Sequence, residues 1–132
     1  MRTKSGEAND KLLTTAELEL MQILWKLSEG TVAEVIEAME IHQKPAYTTV
    51  STLLRILEQK GILKARKEGR GHIYIPLLSK AEYEAKAVRQ VVENVFEGTP
   101  VSLVKQLLNS GELNAKEIEE IRKLLDQKRA SK

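Results

Sequence analysis

Thr48, Thr49, Ser51 and Thr52 crowd together in the chain, and Arg55 follows one helical turn later. Hydroxyls of this kind both donate and accept hydrogen bonds, and threonine adds a small methyl group. The sequence has no nucleophile–base–orienter signature, no P-loop and no dinucleotide fingerprint, so the chemistry is recognition and not catalysis. Threonine and serine bond phosphates or base edges, and arginine suits a guanine or a phosphate. A second group lies just downstream. Lys60, Lys64, Arg66, Lys67 and Arg70 face only Glu68 as a carboxylate, an excess of four where the whole chain carries a net charge of +2. Arg66, Lys67 and Arg70 are suited to phosphates or to the negative field of a minor groove. His72 is a further candidate for a phosphate contact.

Other chemistries find little support. His42 and His72 are the only histidines, and neither has a partner at a metal-ligand spacing. Cysteine is absent, which excludes disulfides and thiolate metal sites. No metal, cofactor or catalytic residue is expected. Aromatic residues make up 4% of the chain, too few for a binder that stacks single-stranded bases on rings. Trp25 reads as a core anchor. No apolar run is long enough to span a bilayer, and residues 1–11 lack the apolar stretch of a secretory signal. A cytoplasmic protein with no membrane insertion is expected.

These side chains need a scaffold, and the periodicity supplies one. Thr15 reads as the cap of a first helix carrying Leu18, Met21, Leu24 and Trp25, with Gly30 as its left-handed stop. Thr31 caps a second helix through a capping box with Glu34. Its stripe is Val32, Val35, Ile36 and Met39, and the segment 41–45 breaks it ahead of Pro45. A third helix runs from about Ala46 to Lys60, where Gly61 stops it. Val50, Leu53, Leu54 and Leu57 fall on one buried face. Thr48, Thr52, Arg55 and Gln59 then lie on the opposite face, with Thr49 and Ser51 on its flanks. Residues 62–67 and 72–75 read as two strands joined through Glu68-Gly69-Arg70-Gly71, a hairpin that Pro76 ends.

Beyond the hairpin the pattern is helical. Ser79 and Glu82 form a capping box ahead of Val88, Val91, Val92 and Val95, and Gly98 ends that stripe. Thr99-Pro100 opens a short helix with Val101, Val104, Leu107 and Leu108, closed by Gly111. Asn114 and Glu117 cap a last helix bearing Ile118, Ile121, Leu124 and Leu125, which frays over 128–132. The expected architecture is mostly α. Residues 1–11 are a flexible tail, 12–78 a winged helix-turn-helix of three helices and a hairpin, and 79–132 a three-helix dimerisation segment. Three short helices bury their stripes poorly alone, and a second copy would cover Val88, Val91, Val92, Val95, Val104, Leu107, Leu108, Ile118, Ile121 and Leu125.

An ordered set of motifs resembles the BlaI/MecI family of bacterial repressors over nearly the whole chain, from Leu13 to Leu125. The set comprises Thr15-Ala16-Glu17-Leu18-Glu19-Leu20-Met21 with Leu24-Trp25, then Tyr47-Thr48-Thr49-Val50-Ser51-Thr52-Leu53-Leu54 with Leu57-Glu58-Gln59-Lys60-Gly61. Lys67-Glu68-Gly69-Arg70 leading to Tyr74, and Ser102-Leu103-Val104, complete it. The resemblance implies a homodimeric repressor of inverted-repeat operators. Its third helix would enter the major groove with Thr48, Thr49, Ser51 and Thr52. It also implies a regulatory protease as a partner, acting just after the Ser-Leu-Val motif. The family's Asn-Phe cleavage site is here Gln106-Leu107, a departure that sets this chain apart. The cysteine cluster of the related copper-responsive repressors has no counterpart. Two rival readings have different consequences. A winged helix serving protein interaction would dimerise without a DNA preference. A ligand-regulated repressor would need a pocket that distant residues build.

Overall fold

The computed structural model describes residues 12–39 and 44–130. The expected N-terminal tail, His42 and most of the break at 41–45 lie outside the described residues. The elements are helices α1 (Thr15–Leu27), α2 (Val32–Glu37) and α3 (Tyr47–Gln59), strands β1 (Leu63–Glu68) and β2 (Gly71–Pro76), and helices α4 (Lys80–Asn94), α5 (Pro100–Asn109) and α6 (Ala115–Ala130). This is the expected order of three helices, a hairpin and three more helices.

The local signals mostly hold, with three corrections. Thr14, not Thr15, caps α1, because only Thr14 has a glutamate three residues on. Glu17 donates its N–H to the Thr14 hydroxyl, and the Glu17 carboxylate accepts from the Thr14 N–H. Ser28, not Gly30, takes the positive φ that ends α1, at 77°. Gly30 is instead an extended bridge residue, with its N–H donating to the Tyr74 carbonyl at 3.0 Å and its carbonyl accepting from Tyr74 N–H at 2.8 Å. Helix α6 stays regular through Ala130 and does not fray at 128. The capping boxes at Thr31–Glu34, Ser79–Glu82 and Asn114–Glu117 all form.

The chain divides by its contacts into two compact units, one ending at Ala87 and one starting at Val88. The division therefore falls inside α4. Tyr83 ties the start of α4 to the first unit. Its hydroxyl accepts from the Leu13 N–H at 3.2 Å, and its ring lies 6.0 Å from that of Trp25. The Trp25 indole N–H in turn donates to the Leu78 carbonyl at 2.9 Å.

The core of the first unit is Leu20, Met21 and Leu24 of α1, Val32 and Val35 of α2, Val50, Leu54 and Leu57 of α3, and Ile62, Leu63 and Tyr74 of the hairpin. Each large aliphatic side chain withdrawn from water here contributes about 1.5–3 kcal/mol. Leu53, expected with the buried stripe, is only partly buried. Antiparallel pairing sets Leu63 against Pro76, Ala65 against Tyr74 and Lys67 against His72. Strand geometry puts these three pairs on the face that packs into the core. Lys64–Ile75 and Arg66–Ile73 lie on the other face. The loop is Gly69-Arg70, and Gly69 has φ +60°, the positive first position of a type II′ hairpin turn.

In the second unit α5 and α6 bury no residue. Val88, Val95, Val101, Val104, Leu107, Leu108, Ile118, Leu124 and Leu125 are all exposed, whereas Val92 is buried. Among the described residues no helix is long and apolar enough to cross a membrane.

Candidate nucleic-acid interface

Helix α3 is fixed from its inner side. Val50, Leu54 and Leu57 are fully buried, and their spacing forces the hydroxyl run outward. Thr48, Thr49, Thr52 and Arg55 are exposed, and Ser51 is half-buried on the flank. The helix starts after Ala46, which offers no side-chain cap. Its first-turn N–H groups therefore have no side-chain acceptor, an arrangement that favours an anion. Tyr47 stands exposed at this end, and no periodicity or charge signal in the sequence marks it as a site residue.

Helix α3 packs on the hairpin through β1, and Tyr74 of β2 joins the same core as Val50, Leu54 and Leu57. Burial pushes the Tyr74 phenol above the ordinary tyrosine range, the Glu58 carboxylate adds to that rise, and the Arg55 guanidinium opposes it. Residues of α3 and of the hairpin's core-side face share one hydrophobic core. Continuing outward along that face, Lys67 and His72 form a cross-strand pair, and the His72 ring lies 6.4 Å from the Tyr74 ring. Arg70 is exposed in the loop at the tip. The fold therefore brings Thr48, Thr49, Thr52 and Arg55 to one side of the unit, with Lys67, His72 and Arg70 carried by the adjoining hairpin.

Two cations of the basic excess are engaged elsewhere. Lys60 donates to the Glu17 carboxylate at 2.7 Å. Glu17 is only 3% exposed. Burial would raise its pKa, but Lys60 and the Thr14 amide outweigh burial and hold it below the usual carboxylate range. Arg66 reaches Glu29 at 3.1 Å and Glu68 at 3.7 Å, and these carboxylates, Glu29 foremost, favour its charged form. The Glu17–Lys60 and Glu29–Arg66 pairs had no signal in the residue pattern, because each joins residues about forty positions apart; the Thr14–Glu17 box is local and its spacing was open to view. Among the described residues, Lys64, Lys67 and Arg70 have no carboxylate within ion-pair distance.

No group of described His, Cys, Asp or Glu residues could hold a metal ion. An open cleft of about 400 Å³ is lined by α1 residues including Ile23 and Leu27 together with Met39 and Pro45. None of its lining residues belongs to α3 or the hairpin. Gln106 and Leu107 stand exposed within α5.

The family model described as penicillinase repressor matches residues 13–127. The penicillinase repressor of Bacillus licheniformis is 30% identical over 115 residues, 87% of this chain and 90% of that protein. The methicillin resistance regulatory protein MecI of Staphylococcus aureus strain N315 is 27% identical over 116 residues, 88% of this chain and 94% of that protein. Among solved structures, the monomeric form of Bacillus licheniformis BlaI in complex with the blaP half-operator matches at 34% identity. It covers 55% of this chain and 89% of that chain, with a TM-score of 0.46.

Proposed function

This chain belongs to the penicillinase repressor (BlaI/MecI) family of DNA-binding transcriptional repressors, and we propose on that premise that it represses as a homodimer bound to an inverted-repeat operator in the cytoplasm. The observation that carries the reading is the exposed run Thr48, Thr49, Thr52 and Arg55 on a helix anchored by Val50, Leu54 and Leu57, beside a hairpin presenting Lys67, Arg70 and His72. A major groove is about 12 Å wide, which suits a helix whose outer side chains are short. Ser51 and the threonines read base edges and phosphates, Arg55 pairs with a guanine or a phosphate, and the first-turn N–H groups receive the backbone. The wing then neutralises neighbouring phosphates.

The second unit supports the dimer. Val95, Val101, Val104, Leu108, Leu124 and Leu125 are exposed aliphatics on helices with few buried groups of their own. A second copy covers such a surface with closed two-fold symmetry. Each protomer then takes one half-site, and promoter occlusion follows.

The test is selection from random duplex DNA with the full chain, followed by binding at two salt concentrations. A palindromic consensus and a steep fall of affinity with salt are expected. Recovery of no palindromic sequence overturns the reading.

A further inference from the structure

We infer that Arg66 is a positioning residue that braces the wing through Glu29, and that it is not one of the wing's phosphate ligands. The inference rests on the proposed DNA-binding function and refines it. Arg66 and Lys67 are adjacent in sequence, so they leave the strand on opposite faces. Lys67 shares the core-side face with His72, Tyr74 and Leu63, the face that continues toward α3. Arg66 shares the other face with its cross-strand partner Ile73, which is half-buried. Across Ile73, Glu29 precedes Gly30, the residue that bridges to Tyr74 from the far side of β2. The two guanidinium nitrogens of Arg66 reach the two Glu29 carboxylate oxygens at 3.1 and 3.5 Å. Glu68 adds a third contact at 3.7 Å from the Arg66 Nε.

This arrangement ties three neighbouring backbone segments together, the 29–30 loop, β1 and β2, on the face of the hairpin opposite Lys67. The bridge at Gly30 holds the base of β2, and the Arg66–Glu29 pair holds β1 to the same loop across the hairpin. Two carboxylates on one guanidinium make it a poor phosphate ligand, since a phosphate would have to displace both. The pair is about half exposed on each side, 47% for Arg66 and 44% for Glu29, so its effect on overall stability is small. What it governs is the angle at which Lys67, Arg70 and His72 are offered.

Glu29→Gln separates the alternatives because they predict opposite signs. Binding of the full chain to the selected duplex is measured across a potassium chloride series for Glu29→Gln, Arg66→Ala and Lys67→Ala with Arg70→Ala. A brace predicts that Glu29→Gln and Arg66→Ala each weaken binding about two- to twentyfold, the scale of one exposed pair lost in each protomer. The slope of log affinity against log salt then stays that of the native chain. If Arg66 is a phosphate ligand held back by Glu29, Glu29→Gln tightens binding, and Arg66→Ala, which removes one contact from each protomer, flattens the slope by about 1.8. Either result overturns the inference, as does unchanged affinity in both single variants. Lys67→Ala with Arg70→Ala, two contacts in each protomer, flattens the slope by about 3.6. No loss and no flattening there would remove the wing from DNA altogether, a failure of the functional reading that is distinguishable from failure of the brace.

Discussion

Replacing Lys60 by methionine tests what the buried carboxylate at Glu17 is worth. One Glu17 oxygen accepts from the Thr14 N–H at 3.0 Å and the other from Lys60 at 2.7 Å. Methionine keeps much of the lysine stem and removes the cation. Breaking a fully enclosed pair costs about 3–5 kcal/mol, because the remaining charge is stranded. Lys60 is 39% exposed, so water replaces part of the ammonium, and fully exposed pairs are worth about 1 kcal/mol or less. Between those limits the expected loss at neutral pH is about 2 kcal/mol. The pH dependence is the sharper test. In the native chain burial raises the Glu17 pKa, but Lys60 and the Thr14 amide more than reverse this, leaving it below its ordinary value. The unfolded chain therefore binds more protons through that range. The stability from this group is whole above about pH 4.3 and is lost as the pH falls through the lower folded pKa. Without Lys60, burial has less opposition and Glu17 takes up its proton at a higher pH. The gap between native and Lys60→Met protein should thus be widest near neutrality and should narrow in acid, as Glu17 becomes neutral in both. Urea unfolding at one fixed protein concentration, at about pH 7, 5, 4 and 3, reads the gap directly. A gap that stays constant from neutral to acid refutes the electrostatic account, and no gap at neutral pH refutes the value assigned to the pair.

Thr48→Ala and Thr52→Ala should each weaken binding to the selected duplex about ten- to hundredfold, the scale of one hydrogen bond lost in each protomer. The salt slope should not move, because a hydroxyl releases no counterion. Fluorescence anisotropy at several salt concentrations checks both, and a flattened slope counts against the assignment. A chain ending at Ala87 retains the Trp25–Leu78 and Leu13–Tyr83 bonds and should sediment as a folded monomer where the full chain sediments as a dimer. A dimer of the shortened chain refutes assembly through the second unit.

Features whose causes are local were legible in the sequence. Thr31 and Glu34 stand three apart, and their capping box follows from chain geometry. Val50, Leu54 and Leu57 recur at helical spacing, and burying them turns Thr48 and Thr52 outward with no further information. Features set by distant partners were not legible. Gly30 carries a stop signal, yet Ser28 ends the helix, because Gly30 is claimed by Tyr74 some forty residues away. The first unit extends into α4 because Tyr83 finds Leu13 and Trp25, and no pattern within α4 announces that.

The basic excess shows the same limit in its functional form. A count over the hairpin region treats five cations as equivalent. Pairing register and tertiary contact make them unequal: Lys60 serves Glu17, Arg66 serves Glu29, and Lys64 shares the face of Arg66. Lys67 and Arg70 remain, with His72 opposite Lys67 on the face that leads to α3. Lysine and arginine exceed aspartate and glutamate by only two over the whole chain, so the placement of the hairpin's cations decides more than their number. If the hairpin pairing slipped by one residue, Arg66 would exchange faces with Lys67 and the core residues Leu63 and Tyr74 would turn to solvent. The same alternation that seals the core therefore selects which cations the hairpin carries on its core-side face. Substitutions at Leu63 or Tyr74 that loosen this register should weaken DNA binding without removing a single charge.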